Sequence, residues 1–278
     1  MGILNVTPDS FSDGGNYFDA SKAVDHGLRL IEEGTDILDI GGESTRPGSD
    51  SISREEERSR VIPVIMALRK RTDALISIDT TKYEISREAL DAGADIINDI
   101  SASRFDPRTL ALTVGKDVPI VLMHMKGRPK TMQANPSYDN LLSEVKTFFE
   151  ERISTALALG ARRDQIIIDP GIGFGKQLEH NCALIKNLRY FEDLGRPLLV
   201  GISRKSFIGK VLNQPPHDRI EGTLASAILS IMNGAHILRV HDVAAVRRTV
   251  RMAEAIMGAH TVPENAEGKK EKKNNYVN

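Results

Sequence analysis

Eight short apolar runs recur along the chain, and none of them alternates with polar residues: GILNV (2–6), DILDI (36–40), ALISID (74–79), DIINDI (95–100), PIVLMH (119–124), QIIIDP (165–170), PLLVGIS (197–203) and HILRVH (236–241). Runs of Ile, Val and Leu without a period of two are strands covered on both faces, the condition of a parallel sheet. Longer stretches with helical spacing lie between them, among them ASKAVDHGLRLIEEG, SREEERSRVIPVIMALRKR, TKYEISREALDAG, YDNLLSEVKTFFEERISTALALG and DRIEGTLASAILSIMNG. Gly34, Gly93, Gly160 and Gly234 stand just past the last apolar position of four of these, where a left-handed cap ends a helix. Strand and helix alternate from end to end. This order predicts an α/β chain folded as a (β/α)8 TIM barrel, one domain over residues 1–258. An open doubly wound sheet is the other arrangement it allows. No linker divides the chain, and the repeat units share no residue pattern, so the period belongs to the fold and not to a repeat array.

Composition narrows the function classes. With 37 basic and 38 acidic residues the formal net charge is -1, so the overall balance favours neither nucleic acid nor anionic lipid as a partner. Any anion site must be local. No apolar stretch approaches the roughly 20 residues of a membrane helix, no signal peptide pattern opens the chain, and the single cysteine, Cys182, fits a reducing cytoplasm. Cys182 falls in a helical pattern and reads as a small buried hydrophobe. Residues 259–278 are polar, lysine-rich and almost without large apolar residues, and read as a disordered tail.

In a barrel of this class the chemistry sits where strands end. Those positions are unusually polar: Asn5, Asp39, Asp79, Asn98 with Asp99, His124, Asp169, the run Ser203 to Ser206, and Arg239 with His241. A mouth lined this way binds a polar, partly anionic ligand. The turn SRKS, placed between an apolar strand and a helix, forms one wall of it. Asp79 and Asp169 close apolar strands, where an unpaired carboxylate costs several kcal/mol, so each faces a ligand or pairs with a cation. Asn98 is either a turn former or a ligand contact. His124 and His241 read first as hydrogen-bonded structural histidines, because no HxH or HExxH spacing supports zinc. GIGFGK (171–176) is GxGxG and not GxGxxG, and lacks the spacing and hydroxyl of a P-loop, which argues against NAD or ATP. Two long Gly-, Ser- and Asp-rich loops, VTPDSFSDGGNYF and GGESTRPGSDSIS, leave adjacent strands and have the composition of lids.

Taken together, MGILNVTPDSFSDGG, DIGGESTRPG, SIDTTK, IINDIS, VLMHMKGRPKTMQ, DPGIGFGK, GISRKSFIG and GAHILRVHDV resemble bacterial dihydropteroate synthase, from Met1 to about Met257. The resemblance implies a cytoplasmic transferase of folate biosynthesis that joins 6-hydroxymethyl-7,8-dihydropterin pyrophosphate to p-aminobenzoate, and a sulfonamide target. It places Asp169, Asn98, Lys205 and Asp79 on the pterin edge, where a carboxylate, an amide and an ammonium match its donors and acceptors. Arg239 lies flat on the ring, and Met123, Phe174 and Ser203 join the substrate-binding set. Mg²⁺ sits at Asn5, and with Arg239 and His241 it holds the pyrophosphate. The p-aminobenzoate carboxylate docks at Ser206 and the helix start, while Thr45, Arg46 and Pro47 of the second loop and Phe11 of the first close over its ring. Family members carry a leading segment before the first strand, whereas this sequence starts at the strand. They form homodimers through helices near the C-terminus, and ASAILSIMNG could serve that role.

The expected mechanism is a loose displacement in which the C–O bond to pyrophosphate breaks first and the neutral arylamine then attacks. Asp13, Lys205, Arg239 and His241 form the catalytic set, with Asp13 facing the cationic carbon. Three rivals remain: a pterin-binding methyltransferase domain, which has no use for SRKS or STRPG; a non-catalytic pterin-binding protein; and a phosphosugar barrel.

Overall fold

A computed structural model describes residues 1–7, 20–45 and 48–258. All eight predicted strands are present: β1 (Gly2–Asn5), β2 (Ile37–Gly41), β3 (Leu75–Asp79), β4 (Ile96–Asp99), β5 (Ile120–Met123), β6 (Ile166–Asp169), β7 (Leu199–Gly201) and β8 (Ile237–Arg239). The described residues also form nine α-helices: α1 (Ala20–Glu32), α2 (Arg54–Arg69), α3 (Tyr83–Asp91), α4 (Arg108–Lys116), α5 (Leu141–Ala158), α6 (Leu178–Lys186), α7 (Ser206–Leu212), α8 (Ile220–Met232) and α9 (Val243–Ile256). The glycines expected to cap α1, α3, α5 and α8 all have positive φ, from 98 to 109°. At the other end of α2, Ser53 accepts the Glu56 N–H at 3.1 Å and three glutamates fill the first turn, which suits the helix dipole.

Strands β1 to β6 pair in sequence order, all parallel, and β7 pairs with β8. Single bridges join the two sheets, Ile168 with Leu198 and Gly2 with Val240. Backbone bonds complete both seams: Ile168 N–H donates to Pro197 at 3.0 Å, Ile3 N–H to Val240 at 2.9 Å, and Val240 N–H to Met1 at 2.9 Å. The cylinder is therefore closed, and the open doubly wound alternative is excluded.

Parity along the strands sets up the site. Successive side chains point to opposite faces, so Leu38, Ile40, Ile76, Ile78, Ile97, Ile120, Leu122, Ile166 and Ile168 pack outward with the helices in the main core. Ile96, Val121, Ile167 and Leu199, with Met1, Ile37 and Ile237 against them, form an inner apolar layer. Counting by twos from that layer toward the C-terminal strand ends brings the chain to Asn5, Asp39, Asp79, Asn98, Met123, Asp169 and Arg239. The register puts Gly41 between Asn5 and Asp79, and Asp39 opposite Ser77, one layer deeper.

Candidate active site

The centre of the mouth is one guanidinium shared by two carboxylates. Arg239 donates from Nε to Asp39 Oδ2 and from Nη2 to Asp79 Oδ2, both at 2.6 Å. Asp39 is fully buried and also accepts from Asn98 Nδ2 at 3.2 Å. A carboxylate only accepts, so the Asn98 amide must turn its nitrogen to Asp39 and present Oδ1 elsewhere. Asp79 Oδ1 is buried without a partner among the described residues. Burial, opposed by Arg239 and reinforced by the like charge of Asp39, pushes the Asp79 carboxyl up to about 7. The guanidinium is held above its ordinary range by Asp39 and Asp79 although burial works against it.

Lys205 and Asp169 form the second cluster. Lys205 Nζ donates to the Ile172 carbonyl and lies 4.8 Å from the centre of the Phe174 ring. Burial brings its ammonium down to about 8 against the pull of Asp169. Asp169 Oδ1 accepts the Gly171 N–H at 2.7 Å, and burial pushes its carboxyl up despite Lys205. The loop between them turns at Gly171, with φ 66°, where an added Cβ would stand 2.0 Å from the His124 carbonyl. Only glycine fits there.

That loop hides a residue to which the sequence assigned no role. Lys176 is buried, and its Nζ sits 2.9 Å from His124 Nδ1, 3.3 Å from the His124 carbonyl and 3.0 Å from the Phe174 carbonyl. Burial lowers it well below its ordinary value, and burial with Lys176 alongside brings His124 down to about 2. Lys176 donates, and His124 Nδ1 with the two carbonyls accepts. His124 is thus the hydrogen-bonded structural residue that its sequence context indicated. The one signal for Lys176 was a lysine closing the glycine-rich run that follows the inward Asp169.

The SRKS turn divides its cations. Lys205 enters the mouth, but Arg204, at φ 57°, turns away and pairs with Asp242. Lys205 caps α7 without a side-chain bond, and Ser206 is its exposed first residue. Ser203 is buried, and its Oγ lies 3.1 Å from His241 Nδ1 and 3.2 Å from the His241 N–H, which fixes the imidazole. Cys182 is on α6 but exposed, not buried. The polar Asn181 takes the inward position because its side chain binds the Gly173 N–H at 2.6 Å and the Gln177 carbonyl at 2.8 Å.

Met123 lies in a buried cluster with Ile100, Met125 and Met132, against which Phe174 packs, so both form the apolar wall beside Asp169. Thr45 and Asp79 border a cavity of about 520 Å³ that runs on beneath the second loop, past Lys82, Phe105 and Arg128. Asn5 ends β1 at the rim, half-buried. Among the described residues no group of three Asp, Glu, His or Cys side chains could hold a metal ion. A single amide oxygen suits only an ion whose other positions belong to substrate oxygens and water, as Mg²⁺ allows. Phe11, Asp13, Arg46 and Pro47, and the tail expected over 259–278, lie outside the described residues.

A closed parallel barrel whose mouth sets carboxyls, an amide, a lysine and an arginine around one slot defines a barrel enzyme for a flat, polar heterocycle. Residues 1–241 match the family model described as pterin binding enzyme. The dihydropteroate synthase of Synechocystis sp. is 49% identical over 257 residues, covering 92% of this chain and 89% of that protein. Among solved structures, Yersinia pestis dihydropteroate synthase with a sulfonamide drug superposes with a TM-score of 0.88 at 44% identity, covering 92% of this chain and 93% of that one. The Xanthomonas albilineans enzyme with 4-aminobenzoic acid gives 0.87 at 46%, covering 92% of each. The chain belongs to the pterin binding enzymes, in their dihydropteroate synthase branch.

Proposed function

We propose that this chain is a transferase that condenses 6-hydroxymethyl-7,8-dihydropterin pyrophosphate with p-aminobenzoate, giving 7,8-dihydropteroate and pyrophosphate in folate biosynthesis. The observation that carries the reading is the convergence of Asp79, Asn98, Asp169 and Arg239 on inward strand ends of one closed barrel, joined by Lys205 from the turn after β7. The donors of a pterin edge would meet Asp169 and the unpartnered Asp79 Oδ1, and its acceptors Lys205. Asn98 Oδ1, turned from Asp39, would accept another ring N–H. Arg239 would stack on the ring while Asp39 and Asp79 hold its plane, a task lysine cannot perform.

The same network bears on the chemistry. One arginine between two carboxyls leaves the slot rich in negative charge, which favours a dihydropterin carbon that becomes cationic as its bond to pyrophosphate breaks. Asp13 would face that carbon. Arg239 and His241, the latter oriented by Ser203, would bind the departing pyrophosphate. Bound Mg²⁺, held by Asn5, would supply charge neutralisation for that group. Exposed Ser206 at the start of α7 would take the p-aminobenzoate carboxylate, with Thr45, Arg46, Pro47 and Phe11 around its ring and Met123, Phe174 and Ser203 completing the walls. An arylamine is neutral near pH 7, so no strong general base is needed.

Residues 1–258 would act as one domain in the cytoplasm, with small-molecule substrates and neither nucleic acid nor membrane as partner. No helix among the described residues is long and apolar enough to cross a membrane. Exposed Leu229, Met232, Met252, Ile256 and Met257 on α8 and after it support a homodimer. The test is incorporation of radiolabelled p-aminobenzoate into dihydropteroate with pterin pyrophosphate and Mg²⁺. Pterin binding without incorporation would leave only a binding protein.

A further inference from the structure

The first residues of the second loop are held by an ion triad that lines the same cavity as Thr45 and Asp79. Lys82 Nζ pairs with Glu43 Oε2 and with Glu57 Oε2. Glu43 belongs to the loop, two residues before Thr45; Glu57 is on α2; and Lys82 stands three residues past Asp79, at the N-cap of α3. The Glu57 side chain is fully buried, while Lys82 and Glu43 are 23% and 22% exposed. The neighbouring residue is clamped too. Arg60 Nη1 donates to the Gly42 carbonyl at 2.7 Å, and an added Cβ on Gly42 would stand 2.7 Å from Val61.

Stability alone does not call for this arrangement. Glu57 and Lys82 neutralise each other, and a second carboxylate adds like-charge repulsion at a site where desolvation is already costly. Burial pushes the Glu57 carboxyl up even beside Lys82, whereas the two carboxylates hold the Lys82 ammonium above its ordinary value despite burial. What Glu43 adds is a tether. It ties the loop that carries Thr45 to the strand exit that carries Asp79, and Ser49 Oγ donates to the carbonyl of Ser44, the residue next to that anchor, at 2.5 Å.

We propose that Glu43, Lys82 and Glu57 form a latch of positioning residues that sets the second loop for p-aminobenzoate. This rests on the function proposed above. Losing the tether leaves the loop to be ordered at the moment of binding, so it weakens the substrate the loop encloses and spares the pterin, which the strand ends hold.

Glu43→Gln is the test, because it removes the loop charge while Glu57 keeps its cation and the fold its buried pair. Steady-state kinetics with each substrate varied should show the KM for p-aminobenzoate raised about tenfold, equivalent to about 1.4 kcal/mol, with the pterin KM within about twofold. Lys82→Arg, which retains both pairings, should stay within about twofold of wild type on both substrates. A Glu43→Gln protein with an unchanged p-aminobenzoate KM, or with both KM values raised alike, overturns the latch. A wild-type chain that forms no dihydropteroate overturns the functional reading and the latch with it.

Discussion

Replacing Asp79 by asparagine tests whether the mouth really holds more carboxyls than cations. Asp79 shares Arg239 with Asp39, and its Oδ1 is buried with no partner among the described residues. Burial, with Asp39 beside it and Arg239 opposing, raises its carboxyl from 3.8 to about 7. A carboxyl whose folded pKa lies above its unfolded value binds protons better in the folded state. Its contribution to stability is therefore complete below about pH 4 and is lost as the pH rises through about 7. The slope approaches about 1.4 kcal/mol per pH unit between the two values and halves at the upper one, so wild type should lose about 2 kcal/mol between about pH 5 and about pH 7 through this group. Asp79→Asn has no proton to lose there. Other carboxyls raised by burial, such as Asp99 and Glu57, titrate in both proteins and largely cancel in the difference. Urea unfolding at several pH values, followed by circular dichroism because the chain has no tryptophan, gives the comparison. The stability of Asp79→Asn relative to wild type should climb by about 2 kcal/mol across that window. A difference that stays flat with pH would mean that Arg239 satisfies both carboxylates, and the argument for a slot rich in negative charge would fail.

Four further outcomes follow from the same geometry. Asp39→Asn takes a buried counter-charge from Arg239 and frees the Asn98 amide to flip; calorimetry should show a loss of about 3 kcal/mol, and a loss under about 1 would contradict the bridge. Lys176→Met leaves three buried acceptors without their donor and should cost about 2 kcal/mol in urea unfolding. Its pterin KM should rise more than its p-aminobenzoate KM, because Ile172 and Phe174 of the same loop meet Lys205. Gly171→Ala should lower stability by at least about 2 kcal/mol, and a wild-type melting temperature would show that the turn at φ 66° is not required. Asp13→Ala should depress turnover by orders of magnitude with little change in pterin affinity, and unchanged turnover would remove Asp13 from the reaction.

Much of the fold was legible because it is periodic. Non-alternating apolar runs marked the strands, the glycines marked the helix ends, and the polar residues closing each strand marked the mouth. Direction was harder to read. Arg204 and Lys205 are adjacent and both cationic, and what separates them is a left-handed backbone at Arg204 together with Asp242, 38 residues away. Cys182 was misplaced because the pattern assumed that apolar residues take the inward face of α6, whereas Asn181 takes it to serve the loop at Gly173. Asp39 stood among the strand-end residues, yet its role required the register, since only the pairing with Ile3 and Ser77 puts it a layer below the rim. The Lys82 triad joins residues 25 and 39 positions apart, and no local pattern announces it.

These layers also explain why the protein tolerates carboxyls that disfavour its own folding. The inner apolar layer of Ile96, Val121, Ile167 and Leu199 excludes water from below, so Asp39, Asp79 and Asp169 lose hydration without gaining one cation each. A barrel selected for stability alone would place apolar residues at these positions and leave Arg239 out. The same deficit becomes an advantage when a ligand brings a row of N–H donors, because the partner missing at Asp79 Oδ1 then comes from the ligand and not from water. Binding would thus relieve a cost already present in the folded chain, and affinity would be greatest for a ligand whose donors face the carboxyls. On this argument the stabilisation by ligand, read as a shift in melting temperature, should grow as the pH rises through about 7, because the N–H donors need Asp79 ionised.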